Sequence, residues 1–253
     1  MRLADPNLRV VIDCVTFETV KIVDSAKHYQ ADKVYLFHKA EGEPYSDFLE
    51  KVQNELNKND IRYKSIKAEI NDFSKIFRKL ISTIEKERKR GNHVYVNVSA
   101  GPHVFCSAGL IACMMKGGNP FYASTEKYTV QKEVYYEEGE PIGLAKEVDE
   151  PEEILCFNLP TPNTKIVKGL RVWKREKDRG NIMSASNIIE KLSKENLMND
   201  IYEDNREKVS QKATMKYRRN FLEKWLEKGW IKKEERGEYE MTEDGKRILD
   251  VFG

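Results

Sequence analysis

The sequence predicts an α/β chain in two parts, a mostly parallel sheet wrapped by helices followed by a smaller domain of helices and one hairpin. Three observations predict it. Short β-branched runs alternate with helical apolar stripes through residue 123. A proline pair, Pro160 and Pro162, then interrupts the chain where neither a helix interior nor a central strand can hold it. Past that break, amphipathic helical stretches precede two short strands about a glycine turn.

The elements follow in order. Val10-Val11-Ile12 opens as a strand, and residues 18–29 carry Val20, Val23 and Ala26 at helical spacing. Residues 33–37 read as a second strand, 45–57 as a helix with Phe48, Leu49, Val52 and Leu56 on its face, and 61–68 as a third strand. Phe73, Ile76, Phe77, Leu80, Ile81 and Ile84 form an i, i+3, i+4 stripe behind a capping Asp72. Residues 93–98 make a β-branched strand, 104–115 an apolar helix stopped by Gly117-Gly118, and 120–123 a further strand. Residues 128–136 and 154–157 read as extra strands of unassigned place. Repeated β-α alternation is a Rossmann-like layout. No G-x-G-x-x-G follows the first strand, and no phosphate-binding G-x-x-x-x-G-K-[ST] loop occurs.

Such sheets bind ligands outside the carboxyl ends of their strands, and two loops fall there. The first holds Thr16, Phe17 and Glu18. The second holds Asn97, Ser99, Ala100, Gly101, Pro102 and His103 at a helix N-terminus, where free amides and the dipole favour an anion. Gly101 allows close backbone approach, and Ser99 and His103 can hydrogen-bond a phosphate or ribose. The competing reading is a plain β-α turn with a Ser cap.

Beyond the prolines, Ile166, Leu170 and Trp173 mark a first helix ended by Arg179-Gly180-Asn181, and Ser184 or Ser186 caps a second bearing Ile188, Ile189 and Leu192. Residues 196–209 read as a polar loop. Ser210 caps a third helix that buries Phe221, Leu222, Trp225 and Leu226 and ends at Gly229. Strands at 230–233 and 238–241 flank the Arg236-Gly237 turn, and a last helix runs through Ile248 and Leu249. Three helices and a hairpin is the order of a winged helix-turn-helix, whose third helix enters the major groove of double-stranded DNA. Lys212, Lys216, Arg218 and Arg219 would contact phosphates, Thr214 and Tyr217 base edges, and Arg236 at the wing tip the flanking backbone. A protein-interaction domain with a solvated basic face is the alternative.

Charge agrees with two parts. The net of +2 hides 22 Lys+Arg against 25 Asp+Glu in residues 1–163 and 22 against 17 beyond. No run reaches the roughly 18 apolar residues of a membrane span, and the N-terminus lacks a signal pattern, so a cytoplasmic, non-membrane protein is expected. Four cysteines without C-x-x-C spacing and four scattered histidines predict neither a disulfide scaffold nor a metal site. Cys106 and Cys113 read as core residues of one helix face.

With both halves read, the chain resembles the archaeal CARF-domain winged-helix regulators associated with CRISPR. The resemblance rests on Val94-Tyr95-Val96-Asn97-Val98-Ser99-Ala100-Gly101-Pro102-His103, similar to a CARF ligand motif, and on the more generic wing ending Tyr239-Glu240-Met241-Thr242-Glu243-Asp244-Gly245. It implies a CARF sensing and dimerisation domain over 1–158, a linker at 159–163 and a DNA-binding winged helix over 164–253. It further implies a homodimer whose paired loops bind a cyclic oligoadenylate, with no cofactor, and so regulate transcription in antiviral defence. Many members carry Gly-Gly-Thr-Lys where this chain has Ala100-Gly101-Pro102-His103; exchanging lysine for histidine weakens anion attraction. The alternative is a metal-independent ring nuclease using Ser99 or His103, and a third reading is a DNA-binding architectural dimer.

Overall fold

Val10, Val11, Ile12 and Val96 are fully buried because their strands form the middle of a six-stranded sheet with helices on both faces. The computed structural model describes residues 7–39, 45–129, 136–137, 140–141, 143–181, 183–202, 208–235 and 237–253. The chain divides into two units, Met1–Pro160 and Thr161–Gly253.

Unit 1 runs β1 (Arg9–Cys14), α1 (Val20–His28), β2 (Lys33–His38), α2 (Ser46–Lys58), β3 (Arg62–Lys67), α3 (Phe73–Arg88), β4 (His93–Asn97), α4 (His103–Lys116) and β5 (Asn119–Tyr122). After β5 come β6 (Thr125–Tyr128), β7 (Tyr136–Glu137), β8 (Glu140–Pro141), β9 (Ala145–Val148) and β10 (Glu152–Glu153). The main sheet has the order β3-β2-β1-β4-β5-β10. Its first five strands are parallel and β10 is antiparallel. Of the two expected extra strands, 154–157 is not one; β10 lies just before it, and β6 pairs instead with β9. Residues 130–135 lie outside the described residues.

Strand alternation assigns the two faces. Val34 and Leu36 cluster with Ile22, Phe48, Val52 and Leu56 of α1 and α2. Tyr35 and Phe37 point the other way, Tyr35 donating to Glu87 of α3 and Phe37 meeting Phe105 of α4 with ring centroids 5.7 Å apart. Asp72 caps α3 by accepting from Lys75 N at 3.0 Å. Phe73, expected on the buried stripe, is 41% exposed because it precedes the first full turn over the sheet. Buried Glu87 accepts from Tyr35, from Lys33 at 3.0 Å and from Asn92 at 2.6 Å, tying α3 to β2. Burial pushes its carboxyl up, but these hydrogen bonds outweigh burial and hold it below the usual range.

Unit 2 runs α5 (Thr164–Asp178), α6 (Ala185–Lys194) and α7 (Gln211–Tyr217), which continues through a π-helical turn (Arg218–Leu222) into α8 (Glu223–Glu227). The hairpin of β11 (Ile231–Lys233) and β12 (Tyr239–Met241) and the helix α9 (Glu243–Phe252) complete it. Asn163, Ser184, Ser210 and Thr242 cap α5, α6, α7 and α9 with their side chains. Gly169 sits inside α5 because a Cβ there would lie 2.6 Å from the Phe221 ring. The segment expected as a polar loop is anchored: Leu197, Met198 and Ile201 are buried, and Tyr202 bridges to Val209.

Tyr217, expected among the groove-facing residues, is 5% exposed in the core of unit 2. It stacks on Phe221 at 6.5 Å and meets Trp225 edge-on at 6.2 Å. The reason is the wide π turn. An α-helix advances about 100° per residue, so a series with spacing four drifts by about 40° per step; the π turn cancels part of that drift. Ala213, Tyr217, Phe221 and Trp225 all stay inward.

No helix among the described residues is long and apolar enough to cross a membrane.

Candidate functional site

The strand order reverses between β1 and β4: β2 and β3 lie on one side, β5 on the other. Connections leaving these two strands diverge and open a crevice at their carboxyl ends, the place where open α/β sheets bind ligands. The loops at 15–19 and 98–102 flank it.

Asn97 organises the second loop from beneath. It is fully buried; its Oδ1 accepts from Ser99 N at 2.9 Å and Ser99 Oγ at 2.6 Å, and its Nδ2 donates to Lys21 O at 3.3 Å. Ser99 Oγ also accepts from Ala123 N at 3.0 Å, so this hydroxyl ties β4 to the end of β5 and is not a helix cap. Pro102 holds the N-cap position of α4. Ala100 is fully buried among the α1 and α2 core residues. Gly101 has φ +97°, and a Cβ on it would lie 2.6 Å from Cys14 Cβ; only glycine lets this loop cross the end of β1. The earliest bond of α4 in this loop is Cys106 N to Pro102 O at 3.1 Å, so the helix does not itself use the amides before Cys106. Exposed His103 stands at that first turn.

The first loop is clamped from the other side. Phe17 O accepts from Leu144 N at 3.0 Å, Glu18 bridges to Gly143, and Glu18 Oε2 accepts from Ala145 N at 3.2 Å. The Phe17 ring packs edge-on against Tyr45 and Phe48, while Thr16 is half-buried. Burial pushes the Glu18 carboxyl up, with Lys21 and the Ala145 amide opposing it. Thr16, Gly101, Pro102 and His103 thus reach the surface, whereas Asn97 and Ala100 support the loop internally.

Two residues that sequence reasoning missed belong to the same place. Lys21, 8% exposed, has its Nζ 3.4 Å from Ser99 O and 3.8 Å from Glu18 Oε1, so one cation touches both loops. Its signal in the sequence was faint, because the predicted stripe of Val20, Val23 and Ala26 leaves Lys21 on the opposite face of the helix, three residues after Glu18. Asp13 near the end of β1 is fully buried, and neither oxygen meets a partner at hydrogen-bonding geometry among the described residues. Burial pushes its carboxyl up to about 8, the Asn97 amide pulling the other way. A lone acid inside an apolar strand was its signal. Among the described residues no group of three His, Cys, Asp or Glu could hold a metal ion.

In unit 2, Lys212, Thr214, Lys216, Arg218 and Arg219 are exposed on one helical run. A groove of about 900 Å³ is lined by Lys212, Met215, Lys216, Arg218, Arg219 and Glu223, among others. Arg218 pairs with Glu223 at 3.2 Å, Thr214 donates to Ser210 O at 3.2 Å, and Met215 is 66% exposed among the cations. Arg236 lies outside the described residues.

A family model described as HFX_2341_N:-like, N-terminal, matches residues 9–128, the span from β1 to β6. No curated protein matches the chain. Among solved structures, the chain is similar to a type III CRISPR defence DNA nuclease activated by cyclic oligoadenylate (17% identity, TM-score 0.40, 47% of this chain and 19% of that one). It is also similar to Csm6 of Enterococcus italicus bound to cyclic hexa-2'-fluoro-hexa-dAMP (12%, 0.41, 88% and 56%). A third is Can2 of Sulfobacillus thermosulfidooxidans in complex with cyclic tetra-adenylate (12%, 0.36, 95% and 63%). The chain spans less than two thirds of the length of each.

Proposed function

We propose that this chain is a ligand-responsive, DNA-binding transcriptional regulator that senses a cyclic oligoadenylate or related nucleotide in CRISPR or antiviral defence and works as a homodimer. The observation that carries the reading is the crevice between β1 and β4. There the α4 N-terminal amides that the helix does not use follow the Gly101 turn, and a buried cation, Lys21, stands 3.4 Å from Ser99 O in the same loop. That combination suits an anion. The charge absent from the loop motif, where His103 replaces the resembled family's lysine, is then supplied from α1. Support for the cyclic ligand is the resemblance of residues 94–103. In unit 2 the exposed cations of α7 and the π turn, on a three-helix and hairpin layout, support contact with double-stranded DNA.

The test is calorimetric titration with cyclic tetra-adenylate and cyclic hexa-adenylate, followed by chromatography of the recovered nucleotide. One intact ring per two chains supports the sensor, with Lys21→Met weakening binding at least tenfold. Binding with conversion to linear product moves the assignment to a ring nuclease, a reading that Lys21 favours because a cation near Ser99 can stabilise developing phosphate charge. Absence of binding to either ring overturns the cyclic-ligand assignment.

A further inference from the structure

We infer that the outer face of α3 and the end of β3 form a second nucleic-acid surface, through which unit 1 holds the phosphates of duplex DNA independently of the helices of unit 2. Residues 61–90 carry ten Lys and Arg against four Asp and Glu, inside a segment whose net charge is otherwise strongly acidic. Three of the four acids are committed. Asp72 caps α3 and pairs with Lys75 at 3.4 Å; Glu85 pairs with Lys89 at 2.9 Å and Lys116 at 3.4 Å; Glu87 is buried on Lys33. Only Glu69 is left near the surface. Lys64, Lys67, Arg78 and Lys86 are exposed, and their side chains have no ion pair among the described residues.

The patch has a shape as well as a sign. Lys79 Nζ donates to Lys67 O at 2.5 Å and so fixes α3 against the end of β3. Between them lies a cleft of about 310 Å³ lined by Lys67, Ala68, Glu69, Lys75, Arg78 and Lys79. From Lys75 to Lys86 the helix rises about 16 Å, the axial length of about five base pairs. An acidic protein partner would need an apolar or aromatic anchor at the centre of its footprint, and this cleft offers only Ala68. Phosphates need only cations. The rival explanation is that lysines on the edge strand β3 prevent edge-to-edge pairing.

The inference shares with the proposed function only the identity of the polymer, and the experiment separates the two. The 253-residue chain is titrated onto a fluorescent 20-base-pair duplex of random sequence between 50 and 200 mM NaCl, as wild type, as K67E/R78E/K79E, as K64E/R78E/K86E, which spares the Lys79 tie, and as K212E/K216E/R219E. Each phosphate contact contributes about 0.9 to the slope of log affinity against log salt. Both unit 1 variants are therefore expected to flatten that slope by about 2 to 3 and to weaken binding at least tenfold at 100 mM, with unchanged circular dichroism. Unit 1 variants that bind like wild type while K212E/K216E/R219E fails would overturn the inference and leave the regulator reading standing. A wild type that binds no duplex overturns both. Displacement of the duplex by poly-glutamate at equal charge concentration would also overturn it, by making the face an acceptor of acidic protein.

Discussion

Asp13→Asn tests whether the crevice contains a carboxyl that folding forces to keep its proton. Burial raises this carboxyl from 3.8 to about 8. Between those values the folded chain retains the proton and the unfolded chain has released it, so stability falls as pH rises through the window and levels off above about 8. Each unit corresponds to about 1.36 kcal/mol. Between pH 5 and pH 8 the wild type should therefore lose about 3 to 4 kcal/mol relative to Asp13→Asn, whose amide mimics the protonated acid and keeps the Asn97 neighbour. Urea denaturation followed by circular dichroism is the assay, because all three tryptophans, Trp173, Trp225 and Trp230, lie in unit 2 and would report that unit alone. If the difference between the two proteins is the same at pH 5, 6.5 and 8, Asp13 is ionised or solvated in the folded state and the reasoning fails.

Gly101→Ala places a side chain at φ +97° and 2.6 Å from Cys14 Cβ; a loss of about 1 to 3 kcal/mol is expected, read as a lowered melting temperature, and an unchanged melt would mean the loop does not cross β1 so closely. Tyr217→Ala should cost about 3 kcal/mol by tryptophan-monitored denaturation, whereas Lys216→Ala should stay within about 0.5 kcal/mol; equal small effects would return Tyr217 to the surface. Glu87→Gln should lose about 1 to 3 kcal/mol at pH 7. Because the Glu87 carboxyl is held low when folded, its stabilisation is present above the ordinary glutamate range and disappears as pH falls through the folded value. The gap between Glu87→Gln and wild type should then narrow in acid, and a gap as wide at pH 3 as at pH 7 refutes the ionised network.

The strands and helices of unit 1 were legible because periodicity and capping agree locally. Ile76, Leu80 and Ile84 lie on the buried face of α3 and Asp72 caps it, as residue spacing alone requires. Strand order was not legible, since nothing in residues 33–37 or 93–98 says which strand lies beside β1; that follows from the crossovers of the whole sheet. The two crevice loops were readable as strand-to-helix turns. What escaped was the chemistry beneath them. Lys21 looks like a solvated helix residue until the sheet is assembled and the N-terminal turn of α1 meets Ser99 O. Tyr217 escaped for a different reason: a π turn leaves no period of its own in a stretch of 17 residues, and a tyrosine carries equally plausible signals for core and groove.

The same physics that hid Lys21 explains why it matters. Glu18 is fixed by the Ala145 amide and Ser99 by Asn97 and Ala123, so each loop has its own anchor. Lys21 spans the gap, at 3.8 Å from one loop and 3.4 Å from the other. Neither contact is short, and a buried cation with two long contacts is poorly satisfied compared with one bound bidentately. An anion at the α4 N-terminus would therefore meet a lysine with hydrogen-bonding capacity left over. If that lysine turned away, burial would push the Glu18 carboxyl still further toward its protonated form. The proposed anion site would then trade the Lys21–Glu18 pair for a contact at the α4 N-terminus, and the loop anchors would need no change.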